Sequence, residues 1–501
     1  MNENRSSGIL LSVSSLPGPY GIGSLGAPAR KFVDFLADAG QSYWQILPLV
    51  PPGDGASPYM SPSTYAGNPY FIDLDELHRQ GLLTWEELES ARWYDPDRVD
   101  YGHLAKTRLP LLKKAWERSR SMPAQEDAPE LPWLEDYARF SALHDRYQKP
   151  FWLWPEDAEE PTEEETGFHI FLQETFYRQW FALKAYANKK GIRIMGDIPF
   201  YLAPDGVERW KTPELFQLDK KGHLSAVAGV PPDAFSEEGQ LWGNPLYNWK
   251  QNKQGVYDFW LERMTWCSKL YDAVRIDHFR AFHTYWSVPV DAESAKDGHW
   301  EKGPGMPLLK LIRTQLPDLE LIAEDLGDLD EDALKFVRNC GIPGMKVMVF
   351  AFDTKAESAY MPHNCQRDSV VYTGTHDTPT FLQWLREGEA ESTIYARRYL
   401  RLRDDEGLCW GVIAGAWACP SRLAIAPLSG CSGAGRRRPD EHPRHAGQPQ
   451  LVLARAGGGF QPLCLRQAAG VEPNLPPLRH YVYLSRAFPN PGKPCFYAFF
   501  S

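Results

Sequence analysis

Eight short apolar runs recur along this chain, each the length of a buried strand, at residues 8–16, 43–49, 192–198, 273–276, 319–323, 345–350, 369–372 and 423–427. An amphipathic stretch at 27–39 separates the first two, and helical patterns at 257–268 and 331–339 lie between later ones. A β–α–β opening with a short crossover is the signature of an α/β barrel. The pattern predicts an α/β fold, a (β/α)8 TIM barrel carrying helical insertions. Residues 75–166 break the rhythm, being acidic, Trp-rich and mostly helical in pattern. They read as an insertion into a catalytic barrel spanning 1–428, of the kind that builds a substrate cleft.

Bulk properties exclude several classes of function. The net charge of -11 is the wrong sign for a nucleic-acid surface. No run of about 18 apolar residues offers a membrane span. Residues 1–5 lack the apolar core of a signal peptide, so a cytoplasmic location is expected. Eight cysteines without metal-like pairing read as reduced structural thiols, and no ligand cluster calls for a metal or cofactor. The 18 tryptophans belong mainly to the core, with sugar stacking as a second use.

Three of the later runs end on carboxylates: Asp277 after Arg275-Ile276, Glu324 after Ala323, and Asp377 after Thr375-His376. A single Asp at a strand end is more often a helix cap than a catalyst. Three of them after barrel-like strands point to chemistry. A retaining glycosidase needs one ionised carboxylate as nucleophile and one protonated carboxyl as acid and then base. Asp277 suits the first role, since Arg275 lies on the same strand face and its fixed charge keeps a neighbouring carboxylate ionised. Glu324 suits the second, because a partly apolar pocket raises a carboxyl pKa. Asp377 and His376 suit sugar hydroxyls.

These strings resemble the 4-alpha-glucanotransferases called amylomaltases or disproportionating enzymes, glycoside hydrolase family 77. The similarity runs from about residue 8 to 428 and includes Ser14-Ser15-Leu16-Pro17-Gly18, Tyr43-Trp44-Gln45-Ile46-Leu47-Pro48-Leu49, Ser57-Pro58-Tyr59, Gly196-Asp197-Ile198-Pro199 and Trp242-Gly243-Asn244-Pro245. It implies Asp277 as nucleophile, Glu324 as acid/base and Asp377 as transition-state stabiliser, with Arg275 and His376 in the adjoining sugar subsite. It also implies Tyr59, Trp242 and Asn244 as glucan contacts. Asp197 falls at the pocket floor, where bracing the backbone is an equal reading. Tyr101 matches a glucan contact in a more remote groove, with ordinary packing an equal contender. Residues 229–236 match a loop that covers the cleft, or form a plain exposed loop. The implied partners are α-1,4-glucans, used without cofactor in a transfer reaction. A hydrolase with the same carboxylates, or a catalytically dead glucan-binding protein, are the alternatives.

After Leu428 the chain departs from the family pattern. Residues 430–435 are rich in Gly and Ser, Arg436-Arg437-Arg438 is basic, and Gly457-Gly458-Gly459 follows. Allowed codons for 429–435, 438–444 and 448–454, read one base later, give Gln-Asp-Val-Leu-Gly-Leu-Gly, Gly-Arg-Met-Asn-Thr-Pro and Asn-Pro-Ser-Trp-Cys-Trp-Arg, all family-like. The segment 429–501 therefore reads as an out-of-frame tail, with a divergent natural terminus as the alternative. Because the family's eighth strand and last helix lie at or beyond this point, the reading predicts an open barrel edge.

Overall fold

A computed structural model describes residues 5–431, except 94, 96–97, 124–127, 233–235, 328 and 406. Its strands, in chain order, are β1 (Ser6–Leu10), β2 (Tyr43–Gln45), β3 (Arg193–Ile198), β4 (Ala226–Val230), β5 (Gln240–Pro245), β6 (Ala273–Ile276), β7 (Thr284–Pro289), β8 (His299–Lys302), β9 (Glu320–Ala323), β10 (Gly344–Val347), β11 (Ser369–Tyr372) and β12 (Leu423–Pro427). Eight of them close a parallel barrel in the order β1-β12-β11-β10-β9-β6-β3-β2.

The expectation of an open edge is overturned. β12 pairs with β1 from Ser6↔Leu423 to Leu10↔Pro427 and with β11 from Val370↔Leu423 to Tyr372↔Ile425. All five of its residues are buried. The eighth strand thus ends just before Leu428, and the ladder is complete without the tail, which lies outside the described residues from 432 onward.

Several strands stop earlier than their apolar runs. β1 ends at Leu10 because the Ser12 side chain accepts the Ser14 N–H and turns the chain into a short 3-10 helix, Val13–Ser15. The run after β10 likewise becomes the 3-10 helix Met348–Phe350. Helix Ala27–Asp38 buries Ala29, Phe32, Val33 and Leu36, one stripe at helical spacing.

Between β2 and β3 lie helices Leu74–Arg79, Trp85–Ser90, Tyr101–Ser119, Leu134–Tyr147 and Glu163–Lys189. The last starts at a capping box of Thr162 and Glu165 and buries Leu172, Phe176, Trp180, Leu183 and Ala187. It carries the chain back to β3. A second sheet, β5-β4-β7-β8, is antiparallel and stands outside the barrel. No described helix is long and apolar enough to cross a membrane.

Candidate active site

The barrel register places the polar side chains. Asp197 on β3 pairs in register with Arg275 on β6, so both project to the same side of the sheet. Gly196, beside Asp197, is needed for close packing, since a Cβ there would sit 2.4 Å from the Tyr271 ring. Just past the strands, Asp277 N–H donates to Ile198 O at 2.9 Å and Glu324 N–H to Ile276 O at 3.1 Å. These bonds fix the two carboxylate-bearing residues at the C-terminal ends of neighbouring strands.

One chain of close polar contacts then links two of the three carboxylates. Arg275 Nη1 donates to both oxygens of Asp197 at 2.8 Å, and Nη2 donates to Asp277 Oδ1 at 2.8 Å. The Tyr59 hydroxyl donates to Asp197 Oδ2 at 3.0 Å and lies 2.6 Å from His376 Nε2. Having given its one proton to Asp197, that hydroxyl accepts from His376, which places the ring proton on Nε2. The same Nε2 is 3.2 Å from Asp377 Oδ2. Asp277, Arg275, Asp197, Tyr59, His376 and Asp377 thus form a continuous relay.

Burial makes the relay rigid and keeps it polarised. The Arg275 and Asp197 side chains are 2% and 0% exposed, against 28% for Asp277 and 44% for Asp377. The carboxylates around it hold the Arg275 guanidinium's pKa well above its ordinary value, despite burial that pulls it down. Burial pushes the Asp197 carboxyl up, while Arg275 pulls it back. An arginine shared by two carboxylates is the arrangement that can tolerate such desolvation. Burial also raises the Tyr59 phenol, so it stays a donor.

Glu324 is held differently. Its Oε2 accepts the His278 N–H at 2.8 Å and its Oε1 the Leu326 N–H at 3.1 Å. Burial first, and the Asp277 charge second, push its carboxyl up to about 8. It is therefore protonated at neutral pH beside an ion-paired Asp277. A buried carboxyl raised in this way beside a specific charge is the mark of an acid–base candidate.

His278, which the sequence reading left without a role, is the hinge of this side. Its backbone is left-handed, with φ 52°, and that turn aims its N–H at Glu324. Its ring packs edge-on to Trp242, centroids 4.8 Å apart, and burial lowers its pKa to about 4, leaving it neutral. Only backbone geometry reveals this, though Asn, Asp and His are the side chains enriched at positive φ.

The remaining expected contacts divide. Tyr101 lines one cleft together with Tyr59, His376 and Asp377, and its ring tilts against Tyr70 at 5.7 Å. Trp242 is half-buried and donates from Nε1 to Gln240 Oε1 at 3.1 Å. Asn244 is buried, and its Nδ2 donates to Leu202 O at 2.8 Å and approaches Met60 Sδ at 3.2 Å, tying two loops together. Of the expected covering loop, 233–235 lie outside the described residues. Among the described residues, no group of His, Cys, Asp or Glu is arranged to hold a metal ion.

Known proteins share this architecture and sequence. A family model for the 4-alpha-glucanotransferases of glycoside hydrolase family 77 matches residues 11–449. A 4-alpha-glucanotransferase of Clostridium butyricum is 42% identical over 437 residues, covering 83% of this chain and 90% of that protein. One from Thermus thermophilus is 41% identical over 455 residues, covering 85% and 90%. The structure of an amylomaltase from Streptococcus agalactiae in complex with acarbose superposes with a TM-score of 0.84 at 37% identity, over 90% of this chain and 95% of that one. The amylomaltase of Corynebacterium glutamicum, at 18% identity and a TM-score of 0.72 over 88% and 70%, is alike in fold.

Proposed function

The chain belongs to the 4-alpha-glucanotransferases of glycoside hydrolase family 77, and on that footing we propose that it moves α-1,4-glucan segments between maltodextrins by double displacement on Asp277. The observation that carries the reading is Glu324, pushed up to about 8, beside an Asp277 held by Arg275.

In the first half-reaction Asp277 Oδ attacks the anomeric carbon while Glu324 gives its proton to the departing 4-oxygen. The C1–O4 bond breaks as the C1–Oδ bond forms, leaving a β-linked glycosyl-enzyme and an ionised Glu324. Arg275 orients Asp277 through its Nη2 hydrogen bond. Asp377, with His376 behind it, holds sugar hydroxyls as positive charge builds at C1. In the second half, Glu324 takes the proton from the 4-hydroxyl of another glucan, whose oxygen displaces Asp277. Transfer outruns hydrolysis when a bound acceptor is presented at high effective concentration. Trp242, Tyr59 and Tyr101 supply ring surface for the glucan. Asp197 and Asn244 brace the site from behind.

Incubation with maltotriose tests the activity, a ladder of longer maltodextrins plus glucose being the expected product. Glucose and maltose alone would assign the hydrolase instead. A 5-fluoro-α-glucosyl fluoride should label the peptide holding Asp277, detected by its mass increase. A label on any other carboxylate would remove the double-displacement assignment.

The dead glucan-binding alternative loses its premise, because the barrel closes. For 429–501 we propose a one-base frameshift after Leu428. Resequencing the gene across that point tests it, and a clean read of the present frame would refute a sequencing error.

A further inference from the structure

A second cleft, about 890 Å³ counted to its open mouth, lies between β8 and the start of helix Lys253–Leu270. It shares no lining residue with the cleft at Tyr59 and Asp377. Lys250, Lys253 and Lys302 line it, with Glu301 as the acidic member. Lys250 pairs with Glu301 at 2.7 Å, while Lys253 and Lys302 have no carboxylate partner among the described residues. Lys253 instead sits 5.3 Å over the Tyr257 ring. Three ammonium groups against one carboxylate leave the cleft positive on a chain whose net charge is -11.

The helix adds to this charge. Lys253 is the first residue of an 18-residue helix with no acidic residue in its first turn. A cation at that end opposes the helix dipole, so the position is unfavourable without an anion. The walls are aromatic. Trp249, Tyr257 and Trp300 line the same cleft, and Trp300 is 40% exposed. The Arg280 guanidinium packs 3.9 Å over Trp300 and is tied at 2.8 Å to Asp330, which holds the ring in place.

We propose that this cleft binds a phosphorylated sugar, its phosphate among Lys250, Lys253 and Lys302 and its pyranose against the exposed Trp300. A bare inorganic anion has no use for the rings, and a neutral glucan has no use for the unpaired lysines.

Calorimetric titration of the full chain with glucose 6-phosphate, inorganic phosphate and maltohexaose tests this. Glucose 6-phosphate should bind saturably, and more tightly than inorganic phosphate. Its affinity should fall about tenfold or more in the Lys253→Gln/Lys302→Gln double variant and also fall in Trp300→Ala. Thermal melts matching the unsubstituted protein, and maltotriose turnover within about twofold of it, show that both variants remain folded and leave the catalytic cleft intact. Three outcomes would overturn the proposal: no saturable binding, phosphate binding as tightly as the sugar phosphate with Trp300→Ala unchanged, or maltohexaose binding that Trp300→Ala weakens while the lysine variant does not.

Discussion

Each end of the barrel holds an arginine bonded to acidic side chains, with a tyrosine hydroxyl in the same network, yet the two ends differ in exposure. At the C-terminal end Arg275 is 2% exposed and serves Asp197 and Asp277. At the N-terminal end Arg193 is 34% exposed, pairs with Glu320 at 3.0 Å, and shares the Tyr43 hydroxyl, which itself donates to Glu320 at 2.9 Å. Water reaches the Arg193 end of the lower cluster, and its screening weakens the ion pair there relative to the fully buried one. The upper cluster gives up that screening, which makes each charge expensive to strand and strongly felt by its neighbours. The cost of desolvation is accepted at the end that holds the proposed site, the end where barrel enzymes place their chemistry.

The contrast breaks most visibly at Glu324. Glu324→Gln should cut the rate of maltotriose disproportionation by about 10²–10⁴-fold with the fold intact. A rate within tenfold of the unsubstituted protein would take the acid/base role from it. Next comes Arg275→Met, which strands Asp197 and should cost about 3–5 kcal/mol in urea unfolding along with activity. A loss below about 1 kcal/mol would mean that Asp197 had simply taken up a proton. The pH profile sharpens the comparison further. Because Glu324 must carry its proton to act, kcat/KM should fall about tenfold per pH unit above about 8.

The same shift makes a signed prediction about stability. Between 4.5, the ordinary glutamate value, and about 8, the folded state keeps a proton that the unfolded chain has lost. Stability therefore falls as pH rises through that window, and Glu324→Gln should flatten the slope of Tm against pH. An unchanged slope would place the raised carboxyl elsewhere. The smallest effect belongs to the lower cluster. Arg193→Met should cost less than about 1 kcal/mol and leave turnover within about twofold; a loss like that of Arg275→Met would erase the distinction between the two ends.

Much of the candidate site is legible in the sequence because its logic is local. Asp277, Glu324 and Asp377 each follow a short apolar run, and Arg275 is two residues from Asp277, so strand alternation alone sets their side. The missed parts depend on geometry that residue types do not announce. The positive φ of His278 is a backbone state, and the polar β8, His-Trp-Glu-Lys, carries no apolar alternation to mark it as a strand. Asn244 sits in a family motif like its neighbours, yet its amide turns inward to Leu202 O, which only packing determines. The tail's departure from the family pattern points to an open barrel, whereas the pairing that closes it joins Ser6 to Leu423, upstream of the tail.

That pairing sets a clock on synthesis. Residues 6 and 423 are 417 positions apart, so at about 5–20 residues per second the first strand waits roughly 20–80 s for its last neighbour to be made. Throughout that interval β1 has β2 on one side and an unpaired row of amides and carbonyls on the other, a sticky edge on a half-made cylinder. Ribosome-bound chains that stop before residue 423 should accordingly be cut by protease within residues 6–10, and chains long enough to expose β12 should resist. The protein's most vulnerable moment then falls during translation, before any residue of the candidate site has a complete barrel around it.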